Sequence, residues 1–293
     1  MHAAEFSHGP IRVLGFSLAG EETWIVVPEM NIGFDLGRAP QEVVGTDHIF
    51  LTHGHMDHAA GVAYYFAQRW FVDNKPGNLY LSEGLRDPIA RLLRIWSEID
   101  GLEPPANLHV AKAGVDIAVR RDLIVRPFDV CHSSARNKRH RAIPALGFAA
   151  IEVRQKLKDE FQGLTGPQLV EIKQKGIEIT RRVEMPLVTF CGDTGPGDFF
   201  ELDHVKNATV LLLECTFLER DHLDRARAGG HMHISDLCRV FPRLNNERIL
   251  LTHLSRRTAL SDAKAMLFAE LGEGVEGRVS FLMEHRRRRS RKE

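Results

Sequence analysis

Short apolar runs separated by turn residues recur along most of the chain. Residues 11–18 and 24–27 are typical of the two strands of an opening hairpin, and residues 48–52 are typical of a buried strand. Apolar residues then recur at helical spacing within 59–70 and 85–99, which predicts two helices. Further strands are predicted at 108–111, 117–119, 123–128, 147–153, 187–191, 210–213 and 249–252, and further helices at 234–241 and 261–271.

This order of elements predicts an α+β fold in which two packed sheets are covered by helices on their outer faces, an αββα sandwich. We expect one domain spanning residues 1–293, because the chain shows no repeat and no low-complexity linker. Residues 154–182 differ from their surroundings. They are polar, mostly helical in propensity and interrupted by a Gly-Leu-Thr-Gly-Pro stretch, so a solvated helical hairpin and a substrate-gripping insertion are both open.

The balance of positive and negative residues gives the chain no net charge that would attract a charged partner to the whole surface. Lysine plus arginine and aspartate plus glutamate each number 39, so a charged partner would have to be recognised locally. No signal-peptide pattern and no apolar run of membrane length is present, which predicts no membrane partner. Four cysteines without CxxC spacing indicate reduced thiols and a cytoplasmic protein. A basic tail at 285–293 could meet a phosphate-rich partner or be a solubilising end.

A cluster of metal-ligand residue types follows the strand at 48–52 directly. In an extended segment His53 and His55 point the same way and can converge on one ion. As the chain turns into a helix, Asp57 and His58 can face a second ion. This HxHxDH spacing rarely arises without metal. Imidazole and carboxylate suit zinc, and also manganese or iron.

Three more candidate ligands, His132, Asp193 and His253, each come just after an apolar strand. Their shared position indicates a joint site. The expected arrangement places His53, His55 and His132 on one ion and Asp57, His58 and His253 on the other, with Asp193 bridging. A hydroxide between the ions would be the nucleophile, because both charges lower its pKa.

Six further stretches extend the pattern: 34–38, 126–128 before His132, the Gly-Asp-Thr turn at 192–194, 214–217, 230–235 and 253–257. Together with the metal motif they resemble ribonuclease Z, the tRNA 3′-processing endonuclease branch of the metallo-β-lactamase superfamily, and its short plant and bacterial type in particular. The resemblance runs from about Gly33 to Thr258. It implies the metallo-β-lactamase fold, two zinc ions per subunit (Mn²⁺ or Fe²⁺ being possible), a homodimer, and precursor tRNA as the substrate whose 3′ trailer is removed.

The resemblance also implies a proton-delivering couple, which maps onto Glu214 and His231, and these join Asp57 as catalytic residues. Expelling a ribose 3′-oxyanion benefits from a positioned general acid, and Glu214 would orient and charge His231. Without the resemblance, the sequence is equally consistent with His231 being a catalytic residue and with its being a surface loop residue. His233 is expected to be structural.

The family carries an extruded arm with a Gly-Pro-containing tip that clamps the tRNA elbow. Residues 154–182 lie in the corresponding interval and resemble a reduced arm. Gly166, Pro167 and Lys173 are therefore candidate substrate contacts, and Arg257 is a further candidate for a phosphate oxygen.

Two departures from the family pattern leave alternatives open. Gly147-Phe148 lies further from His132 than usual, so His140 is a rival third-motif ligand. Thr258 stands where the family has an aromatic residue. One rival function is a phosphodiesterase of the same fold that acts on small or cyclic phosphodiesters or on other RNA. Another is a non-catalytic nucleic-acid-binding relative, although the complete ligand set argues against it.

Overall fold

The computed structural model describes residues 3–73, 75–133 and 142–286. Their strands form two seven-stranded sheets. The first sheet contains β1 (Ala4–His8), β2 (Ile11–Leu18), β3 (Glu22–Val27), β4 (Ile32–Phe34), β5 (His48–Phe50), β6 (Gly77–Ser82) and β7 (Ala106–Ala111), in that spatial order. The second contains β8 (Ile117–Arg120), β9 (Leu123–Ser133), β10 (Pro144–Leu157), β11 (Thr180–Phe190), β12 (Val210–Glu214), β13 (Arg248–Thr252) and β14 (Val279–Phe281), again in sequence order across the sheet.

The helices connect and cover these strands. They are α1 (Gln41–Val44), α2 (Met56–Ala59), α3 (Val62–Asp73), α4 (Glu83–Asp100), α5 (Gly166–Gln174), α6 (Asp203–Lys206), α7 (Leu223–Gly229), α8 (Ile234–Val240) and α9 (Leu260–Leu271). No helix in the described ranges combines the length and the apolar character needed to cross a bilayer.

The centre of the second sheet is buried on both faces, which explains the continuous apolar runs in β12, in β13 and in the first half of β10. Along β10, Phe148 and Ala150 belong to the core between the two sheets. Ala149 and Ile151 belong to a second core, which also includes apolar residues of the outer helices α8 and α9. The predicted αββα sandwich is therefore confirmed.

Parallel pairing brings the candidate site together. Strands β4 to β7 are parallel to one another, and so are β11 to β14. The carboxyl ends of neighbouring parallel strands meet at one edge, where ligands of α/β sheets commonly bind. The chain reaches His53 from β5, Asp193 from β11 and His253 from β13, while Glu214 is the last residue of β12.

The helix predicted at 59–70 is divided into α2 and α3, with Gly61 between them. Several short or polar elements are not predicted by the sequence pattern: β1, β4, β6, β14, α1, α6 and α7. Strands β4 and β14 have three residues each, too few for a period-two pattern to be recognised.

The segment at 154–182 is not the helical hairpin that its propensity favours. Strands β10 and β11 continue past the end of β9 as an antiparallel ribbon, with Gln155 opposite Arg182 and Leu157 opposite Thr180. Cross-strand pairing therefore overrides the local helical propensity at the base of the segment.

The helix α5 lies at the far end of this ribbon. Gly166 and Pro167 begin the helix rather than interrupt one, as suits proline in a first helical turn. Thr165 and Gln168 form a capping box at this N-terminus. The predicted insertion is thus a two-stranded ribbon that carries a short, capped helix.

All four cysteines are free thiols, in agreement with the expected reduced state. The cytoplasmic location stays a prediction. Of the other sequence-based features, the basic tail beyond residue 286 and the rival ligand His140 lie outside the described residues.

Gly61 brings the start of α3 against the backbone of the loop after β4. A Cβ atom at Gly61 would lie 2.4 Å from the Ala39 nitrogen and 2.6 Å from the Arg38 carbonyl carbon. Because backbone atoms cannot rotate away, we expect Gly61→Ala to lower the free energy of unfolding by about 1–3 kcal/mol. Urea unfolding measures this. Gly277→Ala is the control, since a Cβ there meets nothing within 4 Å; equal stability of the two variants would contradict the prediction.

Candidate active site

An open pocket of about 870 Å³ lies at the shared edge of the two sheets. Its lining includes His55, Asp57, Asp193, Phe217, Arg225, His231, His253, Arg256 and Arg257. Of the predicted substrate contacts, Arg257 therefore lies at the pocket. Gly166, Pro167 and Lys173 are exposed on α5 and are not among its described lining residues.

The first predicted ligand group is assembled from three elements. His53 Nε2 lies 2.9 Å from His55 Nδ1, which lies 3.4 Å from His132 Nε2. Asp193 Oδ2 lies 3.7 Å from His53 Nε2. One ligand atom from each of these four residues falls within 4.8 Å of the others, so a single ion could be held among them.

The second predicted group lies beside the first. His253 Nε2 is 3.4 Å from Asp57 Oδ2, and His58 Nε2 is 3.8 Å from the same oxygen. Asp193 is also within 3.3 Å of His253 Nε2 and within 3.4 Å of His58 Nε2. The Asp193 carboxylate is therefore within reach of both groups, as a bridging ligand would need to be.

The chemistry of these residues fits divalent metal. His58 Nε2 is buried and has no hydrogen-bond partner among the described residues, although it faces two carboxylates. Burial disfavours its charged form, but Asp193 and Asp35 outweigh this and hold the pKa of His58 well above its ordinary value. Burial likewise opposes ionisation of Asp193, yet His253 and His58 hold its pKa well below the usual range. The site thus calls for positive charge, and its nitrogen and oxygen donors are those that zinc prefers.

Asp35 fixes His53 and His58, two of the three histidines that follow β5. It is fully buried and follows β4 with a positive φ of 57°. His58 Nδ1 donates to its Oδ2 at 2.7 Å. Thr52 Oγ1 donates to Asp35 at 2.9 Å and accepts from His53 Nδ1 at 3.0 Å. Both Nδ1 protons are thus engaged, which leaves each Nε2 directed at the candidate metal position.

Glu214 repeats this arrangement in the second sheet. Thr216 Oγ1 donates to Glu214 Oε2 at 2.6 Å and accepts from His253 Nδ1 at 3.0 Å. His231 Nδ1 donates to Glu214 Oε1 at 2.8 Å. The carboxylate also accepts from the backbone amides of Thr194 at 2.8 Å and Met232 at 3.2 Å. Since its lone pairs are engaged, Glu214 positions other groups rather than binding metal itself.

His132 is the next-to-last residue of β9. Its Nδ1 donates to the Gly230 carbonyl at 3.0 Å, so Nε2 faces the first ligand group. Burial lowers its pKa, which favours the neutral form that a metal ligand requires. His132 is therefore at the candidate centre.

Two backbone features complete the site, and sequence reasoning did not find them. The Gly20 amide, in the turn between β2 and β3, donates to Asp57 Oδ2 at 2.8 Å. His253 has a positive φ of 57° and donates its amide to Ser17 Oγ at 2.9 Å. Such conformations occur at functional sites, where the surroundings stabilise them.

The supporting roles of Asp35, Thr52 and Thr216 were also missed. A signal for the threonines was present, because Thr52 lies directly before the first histidine and Thr216 stands two positions after Glu214. His233 is a structural residue, as expected: it caps α8, and its Nε2 lies 3.0 Å from the Glu219 carbonyl.

Solved structures share the fold. The metallo-beta-lactamase fold protein YhfI from Bacillus subtilis superposes with a TM-score of 0.62 at 12% identity, covering 92% of this chain and 95% of that chain. Human tRNase Z, short form, superposes with a TM-score of 0.53 at 19% identity, covering 87% and 91%.

Sequence comparison identifies the family. The model of the metallo-beta-lactamase superfamily matches residues 28–88, which include the histidine motif. The chain is 32% identical to the chloroplastic tRNase Z TRZ2 of Arabidopsis thaliana over 246 residues, 83% of this chain and 67% of that protein. It is 33% identical to tRNase Z TRZ1 of the same plant over 270 residues, 90% of this chain and 92% of that protein. The chain therefore belongs to the tRNase Z family of the metallo-β-lactamase superfamily.

Proposed function

We propose that this protein is a metal-dependent endoribonuclease that removes the 3′ trailer from precursor tRNA. Its relatives are named tRNase Z and ribonuclease Z. The position of His231 is the observation that carries the assignment: this histidine lines the pocket of the candidate metal centre while its Nδ1 lies 2.8 Å from the buried Glu214. Cleavage of a phosphodiester with loss of a ribose 3′-oxygen needs a proton donor of this kind.

We infer that the two ligand groups bind two divalent ions, with zinc as the first candidate and manganese or iron as alternatives. His53, His55 and His132 would hold one ion and Asp57, His58 and His253 the other, with Asp193 shared. When bound, such ions would polarise the scissile phosphate and lower the pKa of an attacking water.

The protein groups around the centre would do the rest of the chemistry. Asp35 and Thr52 keep the imidazoles of His53 and His58 in one tautomer and orientation. Glu214 accepts a hydrogen bond from Nδ1 of His231 and stabilises the charged imidazole. The second ring proton, on Nε2, would then pass to the leaving ribose 3′-oxygen.

Substrate recognition would use two separate regions, the ribbon at 154–182 and the pocket rim. On α5, Lys173 is exposed and has no ion pair among the described residues, whereas Lys175 pairs with Glu171 at 2.7 Å. We propose that Lys173, together with Gly166 and Pro167, contacts the tRNA body away from the pocket, while Arg257 contacts a phosphate near the cleaved bond. The separation suits a substrate larger than a mononucleotide.

We further propose that the protein forms a homodimer through α3 and α4. These helices expose several large apolar side chains, and Tyr64, Trp96 and Leu102 line a groove between them. Phe71 is 82% exposed, Ile99 67% and Ile95 53%. Tyr64, Trp70, Leu92, Trp96 and Leu102 are exposed on the same helices or just after them. A large exposed apolar patch often marks a protein–protein interface, and this is why we place the dimer contact on these helices.

The metal proposal is tested by removing the two rival third-motif ligands. His132→Ala should lower zinc affinity by at least about 10–100-fold, the loss typical even of an outer partner of a ligand. His140→Ala should bind zinc as the wild type does. Zinc content after dialysis and zinc-dependent rise in melting temperature measure both effects. A normal zinc content in H132A combined with a loss in H140A would reverse the assignment.

The proposed activity is tested on several precursor tRNAs with zinc-loaded protein. We expect removal of the 3′ trailer, and a fall in kcat of about 10²–10⁴-fold in His231→Ala with zinc content unchanged, because the variant loses only the proton donor. His109→Ala, on the exposed strand β7, is the control. Turnover of a chromogenic phosphodiester without any trailer cleavage would reject the tRNA substrate in favour of a small-phosphodiester hydrolase.

The dimer is tested by sedimentation velocity at micromolar concentration. The wild type should sediment as a dimer, and Phe71→Asp combined with Ile95→Asp should sediment as a monomer because buried charge disfavours association. Val115→Asp, at an exposed apolar residue outside these helices, should stay dimeric. A monomeric wild type would contradict the proposal.

A further inference from the structure

The pocket wall that leads to His231 carries a cationic residue without a role in the mechanism above. Arg225 lies on α7, which ends immediately before Gly230 and His231. Its side chain is exposed and lines the same pocket as Asp57 and His231. Arg225 Nη1 lies 3.1 Å from His222 Nε2. Since a guanidinium can only donate, this nitrogen of His222 is the acceptor.

A buried chain of polar contacts holds His222 in place. His222 is only 5% exposed, and its Nδ1 lies 2.9 Å from Glu219 Oε2. Because Nε2 accepts from the arginine, Nδ1 carries the ring proton. Nδ1 lies within ion-pair distance of the carboxylate but is not aligned for a hydrogen bond among the described residues. The other oxygen, Glu219 Oε1, accepts from Thr258 Oγ1 at 2.9 Å. The Phe217 ring packs edge-on against His222, with centroids 5.7 Å apart.

The contact with Glu219 gives Thr258 a structural role. It stands where the family resemblance leads one to expect an aromatic residue, and its hydroxyl instead supports Glu219. The loop after β13, which carries His253, is thus connected through Glu219 and His222 to Arg225 on the opposite wall. The departure from the family pattern and the orientation of Arg225 belong to one contact network.

The charge of Arg225 is also available, unlike that of Arg227 and Arg256. Arg227 on the same helix pairs with Asp236 through two hydrogen bonds of 2.7 and 2.6 Å. Arg256 on the pocket rim pairs with Glu21 at 3.3 Å. Within the described ranges, no carboxylate oxygen lies within the 4.0 Å ion-pair distance of the Arg225 guanidinium. Four of its five N–H donors remain for another acceptor.

We propose that Arg225 binds an internucleotide phosphate of the RNA, next to the scissile phosphate on the side of the leaving 3′-oxygen, and that His222 and Glu219 are its positioning residues. This inference rests on the proposed function. The guanidinium matches phosphate geometry, and α7 leads directly to the histidine that would protonate the leaving oxygen. A phosphate held here would set the leaving nucleotide against His231.

Binding of a short single-stranded RNA with a 3′-hydroxyl, the leaving-group product of the proposed reaction, tests the site without cleavage. Arg225→Gln should weaken binding about tenfold at low salt, as expected for loss of a hydrogen bond to a charged group. It should also lower the slope of log K against log salt by about 0.7. Arg220→Gln is the matched control, since Arg220 is on the same segment and its side chain is 96% exposed.

A neutral methylphosphonate at the last linkage identifies the phosphate. It should weaken binding to the wild type and leave binding to R225Q unchanged, because the partner charge is already gone. Equal losses in both proteins would overturn the assignment of this phosphate to Arg225.

The support from His222 is tested by cleavage kinetics. His222→Ala should raise KM as R225Q does, with kcat retained, whereas His222→Gln keeps an acceptor for Arg225 and should restore KM. If H222A does not fold, Glu219→Gln probes the same support and should raise KM. Unchanged KM in a folded H222A, or in E219Q if that variant takes its place, would reject the positioning role.

The two proposals fail in different ways. If trailers are not cleaved but R225Q binds RNA more weakly than R220Q, the proposed function is wrong and the phosphate site stands. If trailers are cleaved and the two variants bind RNA alike, the phosphate site is wrong. A wild type that neither cleaves trailers nor binds the short RNA overturns both.

Discussion

Two buried carboxylates, Asp35 and Glu214, determine where the protons lie on the imidazoles of this site. A buried carboxylate is costly unless it accepts several hydrogen bonds, and each of these two accepts at least three. In each case a threonine hydroxyl donates to the carboxylate and accepts a hydrogen bond from a second histidine. The two sheets therefore contribute equivalent supports, and the nitrogens that face the pocket are fixed before any ion or substrate arrives.

Much of the candidate centre could be predicted from the sequence because it depends on local order. The histidine motif follows a strand directly, and His132, Asp193 and His253 occupy similar positions after other strands. Parallel pairing brings the ends of β11 and β13 to one edge of the second sheet, and β5 ends in the parallel part of the first sheet. Strand β9 ends at the same edge as β11 because the antiparallel strand β10 lies between the two. The predicted groupings rest on this rule. In the structure His53, His55 and His132 lie together with Asp193, and His253 lies together with Asp57 and His58.

The remaining features depend on contacts between residues distant in sequence, and no local pattern reports them. The role of Asp35 exists only because Thr52 and His58 fold against it. The contact of Arg225 with His222 is local, but its significance depends on Glu219 and Thr258. The strands of the ribbon could not be predicted for another reason. Their residues favour helix individually, and only pairing between β10 and β11 makes them strands.

The continuity of β10 and β11 from the core sheet into the ribbon bears on how the insertion can change during evolution. Residues added or lost in pairs near α5 would lengthen or shorten the hairpin without altering strand register in the core, because side chains alternate with a period of two. An odd number on one strand would need a bulge to be absorbed. Reach toward a bulky substrate can therefore diversify while the catalytic edge of the sandwich stays intact.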